Sequence, residues 1–458
     1  MFKVKADGKF KIRLVVQGWS QKHGIDCEST FALVYRLESQ RLPLALEIAK
    51  DWTAYALDVQ VAFLNGKLKE SVFCEQAPGF EKTDSTTGQP YVMSLKRSIY
   101  GLRQSPNVWN HTINNELRSM DFTPTISDPC VYSKGSNDTY LTLSLFVDDI
   151  LVTGPTDKVL MDVRNQLVNK FTITDLGEVS LILGMEVPRN KQTGTHQLSQ
   201  HKHVLSILDR FSMSLANPTK TPGTKTDLSA ASNSDSLLDA AATKEYQDMV
   251  GSLIFLTQRT RFDICFSVIH AARFTSALTQ QHLVAVKRIL PCLRGYPDIP
   301  ITYSRSKLEL AGYSDASYCT RSTTGTMFFF ADGLVHFSSR LQKTTATSTT
   351  EAELIALAAC AKQGIYLLEI CSELGLQING CQVRNDNRGA LHLAAKSNYC
   401  SRSKHLTNRF SALCDWTRCK QLITDHISSS DQLAEILSQH CERVTFARPC
   451  SKISPFGE

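Results

Sequence analysis

The chain has 458 residues, room at about 150 per domain for two to four domains with cores of ordinary size. Hydrophobic residues at 42% and charged residues at 21% put it among globular sequences and exclude a disordered or collagen-like chain. Fifty Lys plus Arg against 44 Asp plus Glu leave +6, a mild excess that permits an anionic partner without requiring one.

Met1-Phe-Lys-Val-Lys5 lacks the apolar core of a signal peptide, and no apolar run approaches the roughly 18 residues of a membrane span. An intracellular chain with no membrane partner is expected. The 14 cysteines form no C-x-x-C pair, so free and mostly buried thiols are expected rather than zinc sites or disulfides.

In chain order, Arg13 to Val16 reads as an apolar strand and Leu44 to Ala49 as a helix entered through Pro43. Tyr140 to Val147 and Ile150 to Gly154 read as two strands of a hairpin, so residues 1–215 form an α/β-type domain. Residues 216–243 are rich in Pro, Gly, Ser, Thr and Asp without apolar periodicity, which marks a linker. Residues 246–295 carry helical spacing at Val250, Leu253, Ile254, Val284, Val286, Ile289 and Leu290. From Leu308 strands return, then a helix from Glu351 to Leu374, a short segment from Gln382 to Asn385, a helix from Arg388 and a last helix beginning at Asp431. That is a second α/β domain.

Two carboxylates, Asp148 and Asp149, occupy the hairpin apex. A solvated turn would account for them. Tight hairpins, however, prefer Asn-Gly or Asp-Gly, and two like charges side by side bring no folding gain, so metal binding stands beside the bland reading. Asp58 interrupts the apolar run from Tyr55 to Phe63 and needs a partner or a cation if buried. Three carboxylates from neighbouring strands would form the hard-oxygen cage that Mg²⁺ takes beside a phosphate. In the second domain, Asp315, Glu353, Asp386 and Glu435 each lie at an element end, and Thr350-x-x-Glu353 also fits a capping box that needs no metal.

Five ordered motifs carry a resemblance. They are Arg13-Leu-Val-Val-Gln-Gly-Trp-Ser-Gln-Lys-His-Gly-Ile25, Leu57-Asp-Val-Gln-Val-Ala-Phe-Leu-Asn-Gly66, Ser98-Ile-Tyr-Gly-Leu-Arg-Gln-Ser-Pro106 with Trp109, Phe146-Val-Asp-Asp149 and Leu183-Gly-Met-Glu-Val187. Together they resemble the reverse transcriptase of copia-type retrotransposon Pol polyproteins. The resemblance implies a multidomain α+β and α/β chain: right-hand polymerase fingers and palm over 1–215, a linker and helical thumb or connection over 216–305, an RNase H-like α/β domain over 306–445 and a tail over 446–458. It implies that Asp58, Asp148 and Asp149 hold two Mg²⁺ ions about 4 Å apart, with Mn²⁺ as a substitute. Phe63 takes the place of the residue that excludes a ribose 2′-hydroxyl, and core packing is its plainer role. Gln104, Lys11 and Arg13 fall at nucleotide-contacting positions.

Tyr313-Ser-Asp315-Ala, Ser322-Thr-Thr-Gly325, Thr350-Glu-Ala-Glu353 and Asp386-Asn387 resemble the ribonuclease H domain that follows such reverse transcriptases. The likeness implies metal binding by Asp315, Glu353 and Asp386, with Glu435 where a fourth aspartate is expected. The implied partners are an RNA template, a DNA primer, dNTPs and an RNA/DNA hybrid, and the implied location is a cytoplasmic virus-like particle or the nucleus. Residues 381–422 hold eight Lys and Arg against Asp386 and Asp415, a surplus equal to that of the entire chain. Arg402, Lys404 and Arg409 there are candidates for gripping the hybrid backbone, against the plainer reading of a solvated face.

Relative to the family, the start at Met1 suggests a truncated fingers region, and the absence of protease and integrase suggests the C-terminal part of a polyprotein. The stretch after Asp315 is short, Phe146 replaces a commoner Tyr, and Thr260-Arg-Phe262 replaces an Arg-Pro pair. An alternative is therefore a degenerate transposon-derived protein that binds nucleic acid without catalysis. An unrelated Mg²⁺-dependent phosphotransferase finds no Gly-rich phosphate loop in its support.

Overall fold

The structure, a computed structural model, describes residues 2–4, 8, 10–33, 35–136, 140–190, 192–224, 228–230, 232, 235–395 and 407–454. Two compact units emerge. One comprises 1–36 with 53–178, the other 37–52 with 179–458.

The first unit is built on a six-stranded antiparallel sheet. Its strands are β1 (Thr53–Val59), β2 (Thr123–Pro124), β3 (Val131–Lys134), β4 (Leu141–Phe146), β5 (Asp149–Gly154) and β6 (Ile173–Glu178), in the order β6-β1-β5-β4-β3-β2. Its two central strands, β4 and β5, are the apolar runs that flank the acidic apex, and burying both faces of them explains their unbroken hydrophobicity. Helix α1 (Ser105–Ser119) opens with Pro106 in its first turn, where a missing N–H costs nothing. It buries Trp109, Ile113 and Leu117, four residues apart, in a core with Leu57, Leu143, Leu145, Ile150 and Val152. Each such fully buried side chain contributes about 1.5–3 kcal/mol. Helix α2 (Asp157–Val168) adds Leu160, Val163 and Leu167 to the same core.

Arg13 to Val16 departs from expectation. The strand there is Phe10–Ile12, and Leu14 and Val15 are exposed. Val15 forms only an isolated bridge to Tyr100. Val16 instead packs on a small cluster of Val72, Ile99 and Leu102 beside the two-stranded sheet Lys67–Cys74 and Met93–Arg97, so the run is anchored at one end without forming a ladder.

The second unit begins with the helix Leu37–Lys50, not with one entered through Pro43, which lies inside it and is buried. Polar side chains on this helix are buried too. Glu38 meets His336 Nδ1 at 2.7 Å, Glu47 meets His196 Nδ1 at 2.8 Å and Arg189 at 3.2 Å, and Arg41 donates to the carbonyl of Val335 at 3.1 Å. Helices α3 (His201–Arg210), α4 (Ala240–Thr257), α5 (Cys265–Ala271) and α6 (Gln280–Gly295) follow, sharing a core of Val204, Ile207, Leu253, Val268, Val286 and Ile289. Thr260-Arg-Phe262 sits in the turn between α4 and α5. Arg261 is fully buried and donates from Nε and a terminal nitrogen to the two oxygens of Asp263 at 2.8 and 2.7 Å, which gives this family departure a physical account.

A five-stranded mixed sheet completes the unit. Strands β7 (Leu310–Ala316), β8 (Thr323–Phe330) and β9 (Gly333–Leu341) form an antiparallel meander, while β10 (Cys381–Asn385) runs parallel to β7 and β11 (Leu422–His426) parallel to β10. The order is β9-β8-β7-β10-β11, three antiparallel strands followed by two parallel ones. Helix α7 (Thr349–Glu373) connects β9 to β10 and lies on the sheet. Its Gly364 admits close approach, since a Cβ there would fall 2.6 Å from Phe328 and 2.7 Å from the sulfur of Cys381. By length and composition α7 could cross a membrane, contrary to the reading that no run approaches that length, and 67% of its apolar window is buried inside the protein. Helices α8 (Arg388–Ala395) and α9 (Thr407–Arg418) follow. The last helix, α10, spans Arg443–Ile453; Asp431 and Glu435 lie instead in two 3-10 turns, Ser429–Asp431 and Leu433–Leu437. The cysteines among the described residues are free, and most are buried.

Candidate active sites

In the first unit, pairing of β1 with β5 sets Asp58 directly across from Asp149. The β4–β5 hairpin turns through Val147 and Asp148, with Val147 at φ +55°. A β-branched residue in the left-handed region is strained. Two contacts hold it: Trp109 Nε1 donates to the Val147 carbonyl at 2.6 Å, and Val59 N donates to the Asp148 carbonyl at 2.8 Å. The strain presents two adjacent carboxylates at a strand end. Burial, then the charges of Asp148 and Asp58, pushes Asp149 up to about 6. Gln60 Nε2 donates to Asp58 at 2.7 Å.

Beside these acids stands an aromatic cluster. Phe63, in the 3-10 turn Ala62–Asn65, meets Tyr100 edge-on at 4.6 Å, and the Arg13 guanidinium lies 5.0 Å from the centre of the Tyr100 ring. Burial raises the Tyr100 pKa first and the Asp148 charge adds to it, while Arg13 opposes. Tyr100, which touches both Phe63 and Arg13, thus feels the Asp148 charge, and it is a residue that the motif reading quoted without giving it a role. Gln104 is engaged elsewhere: its Oε1 accepts from Gln21 at 3.0 Å and its Nε2 donates to the Asp26 carbonyl at 3.0 Å, 1% exposed. The side chain of Lys11 lies outside the described residues.

In the second unit, Asp315 on β7, Glu353 in the first turns of α7 and Asp386 just past β10 converge. One carboxylate oxygen from each lies within 4.8 Å of the others, and among the described residues no other trio of His, Cys, Asp or Glu gathers so closely. Asp58, Asp148 and Asp149 are thus neighbours in register but more open. Glu353 is not a capping residue. The cap of α7 is Ser348, which accepts from Glu351 N at 3.2 Å while the Glu351 carboxylate accepts from Thr347 N at 2.8 Å. Glu353 instead accepts from Ala316 N at 3.1 Å and from Asn385 Nδ2 at 2.9 Å.

Hydroxyls and amides hold the trio from behind. Ser438 donates to Asp315 and Ser429 to Asp386 at 2.7 Å, while Asn385 and Gln432 both donate to the Ser314 carbonyl at 2.9 Å. The sequence reading missed Ser438, Ser429 and Gln432, and Asn385 carried one signal: it directly precedes Asp386. Burial, then Asp386, raises the pKa of Asp315 against the opposing Ser438 bond; burial, then Asp315, raises that of Glu353. Buried carboxylates that repel one another are the condition a bound cation relieves. Glu435 contributes to the rise of Asp315 but stands outside the trio, accepting from Gln439 at 2.8 Å. Arg402 and Lys404 lie outside the described residues, as does the side chain of Arg409.

Residues 1–225 match the family described as reverse transcriptase (RNA-dependent DNA polymerase). Across 97% of its length the chain is 34% identical to the retrovirus-related Pol polyprotein from transposon TNT 1-94 of Nicotiana tabacum, covering 34% of that protein. Across 98% it is 32% identical to that from transposon RE1 of Arabidopsis thaliana, covering 31%. A transposon Ty5-1 protein of Saccharomyces cerevisiae is 30% identical over 65% of this chain, and 97% of it is covered. The chain belongs to the copia-type reverse transcriptase family. It spans about a third of the length of the first two relatives, both Pol polyproteins. Among solved structures, a ribonuclease H1 isolated from compost is 19% identical over 29% of this copia-type chain and 94% of its own, with a TM-score of 0.23.

Proposed function

We propose that this chain is an RNA-directed DNA polymerase with an attached RNA/DNA-hybrid ribonuclease H domain, both working by two-metal phosphoryl transfer. The observation that carries the reading is the occurrence, in one chain of reverse transcriptase kin, of two separate carboxylate sets: Asp58 with Asp148 and Asp149, and the gathered Asp315, Glu353 and Asp386. The polymerase region is 1–215, the thumb or connection 216–305, the ribonuclease H domain 306–445 and the tail 446–458. Template, primer, dNTPs and hybrid are the substrates, acted on in a virus-like particle or the nucleus.

Hard oxygen donors in threes suit Mg²⁺, with Mn²⁺ as a substitute, and such an ion supplies charge neutralisation at phosphoryl oxygens and a more acidic attacking hydroxyl or water. The protein's own residues position and shield. Asp58 and Asp149 face each other across a ladder that fixes their separation, and the braced turn holds Asp148 in place. Phe63, stiffened by Tyr100, sits where a ring would clash with a 2′-hydroxyl, and Arg13 offers a cation to a triphosphate. In the second domain Ser438, Asn385 and Ser429 fix the carboxylate rotamers, which leaves their remaining oxygens for metal; Glu435 stands by as an outer acid.

The test has two arms. Primer extension on an RNA template with Mg²⁺ is expected for the parent and abolished in Asp148→Asn; equal incorporation by both would defeat the polymerase reading. A labelled RNA/DNA hybrid is expected to be cut by the parent and not by Asp386→Asn. Binding of both substrates without metal-dependent chemistry would favour the noncatalytic alternative.

A further inference from the structure

A cavity of about 650 Å³ lies between strands β8 and β9 and helices α7 and α9. Its walls carry Arg340 and Lys343 from the end of β9, Lys362 from α7 and Trp416 from α9, and among the described residues the lining holds no Asp or Glu. Arg340, Lys343 and Lys362 are exposed, and none is in an ion pair among the described residues. Gln363, also in the wall, has a buried Nε2 without a hydrogen-bond partner. An unpaired buried donor costs about 1–3 kcal/mol, so the groove is arranged for an acceptor-rich, anionic occupant.

Register sets this groove apart from Asp315. Asp315 pairs with Gly325, which pairs with Ser339, while the wall residues Thr324 and Thr326 pair with Arg340 and Ser338. Side chains alternate faces along a strand, and directly paired residues share a face. The groove therefore occupies the opposite face of the sheet from Asp315.

We infer that this groove binds one strand of nucleic acid, its phosphates against Arg340, Lys343 and Lys362 and a base stacked on Trp416. A cationic track with an aromatic platform is the sequence-tolerant way to hold a single strand, because every base offers a π-face. An acidic polypeptide would satisfy the cations but leave the indole without a planar partner. The assignment goes beyond the two-metal reading and needs neither carboxylate set.

The test uses the full chain in EDTA with a fluorescein-labelled oligothymidylate, so that no metal-dependent step enters. The triple variant Arg340→Gln, Lys343→Gln, Lys362→Gln is expected to bind more weakly and to lower the log–log salt slope by about 2, at roughly 0.7 per lost phosphate contact. Trp416→Ala is expected to lose about tenfold or more in affinity, and Trp416→Phe to recover most of it. An unchanged slope and affinity in the triple variant would overturn the inference. So would polyglutamate competing as well as the oligonucleotide while Trp416→Ala binds normally, since that describes a general polyanion patch. Hybrid cleavage by the same variants, assayed separately with Mg²⁺, distinguishes loss of this groove from failure of the catalytic reading.

Discussion

Asn385 is fully buried and donates from Nδ2 to Glu353 Oε2 at 2.9 Å, to the Ser314 carbonyl at 2.9 Å and to the Ser314 hydroxyl at 3.1 Å. Replacing it with Leu preserves volume and removes every one of these bonds. The Ser314 carbonyl keeps Gln432, so the loss falls on Glu353 and on the Asn387 N–H, which donates to Asn385 Oδ1 at 2.8 Å. A hydrogen bond to a charged group is worth about 1.5–3 kcal/mol. Spent on holding the Glu353 rotamer, that corresponds to about a 10- to 100-fold loss of metal affinity, the range typical of residues that orient metal ligands. Mg²⁺ titration of hybrid cleavage by Asn385→Leu should therefore move the midpoint upward by that factor while saturating Mg²⁺ restores most of the rate. Mn²⁺ titration followed by calorimetry should show the same displacement without relying on turnover. A normal midpoint in a folded variant would refute the claim that Asn385 positions Glu353 for metal.

Two further outcomes follow from particular side chains. Asp149 in the metal-free chain binds a proton up to about pH 6, against 3.8 unfolded; folded protein thus holds more protons between those values, and metal-free stability should fall as pH rises through that window. Mg²⁺ competes with that proton, so the Mg²⁺ requirement of primer extension should steepen below about pH 6, and a requirement flat from pH 5 to 8 would contradict it. Removing Asp263 by an Ala substitution should cost about 3–5 kcal/mol in chemical denaturation by stranding a buried guanidinium, whereas a double Arg261→Met, Asp263→Leu variant should recover most of it; similar losses in both would mean that packing, not charge, governs the site.

What the sequence displayed well was periodic apolar structure and the acids at its ends. The β4–β5 hairpin, α7 and β10 were legible within a residue or two, because their hydrophobic runs are long and their ends are marked by charge. The helix Leu37–Lys50 was half-hidden. Its inner face includes Gln40, Arg41 and Glu47, which look like solvent residues until strands more than a hundred residues away supply His196 and Arg189. Glu353 illustrates the same limit from the other side: a local pattern offered a cap, and the choice between cap and ligand depended on Ala316 and Asn385. Ser438 and Gln432 had no local mark at all, since a hydroxyl or amide becomes a support only through what it faces.

The helix Leu37–Lys50 also fixes the order in which this chain can be finished during synthesis. Its partners His196 and His336 follow about 150 and 300 residues later, so at roughly 5–20 residues per second it waits tens of seconds for a seat. Residues 53–178 form an excursion that leaves and re-enters the second unit. The second unit consequently cannot be released by a single cut: a fragment starting at 179 would lack the segment whose Arg41 binds the Val335 carbonyl and whose Glu38 meets His336, and supplying that segment as a separate peptide should restore its cooperative melting.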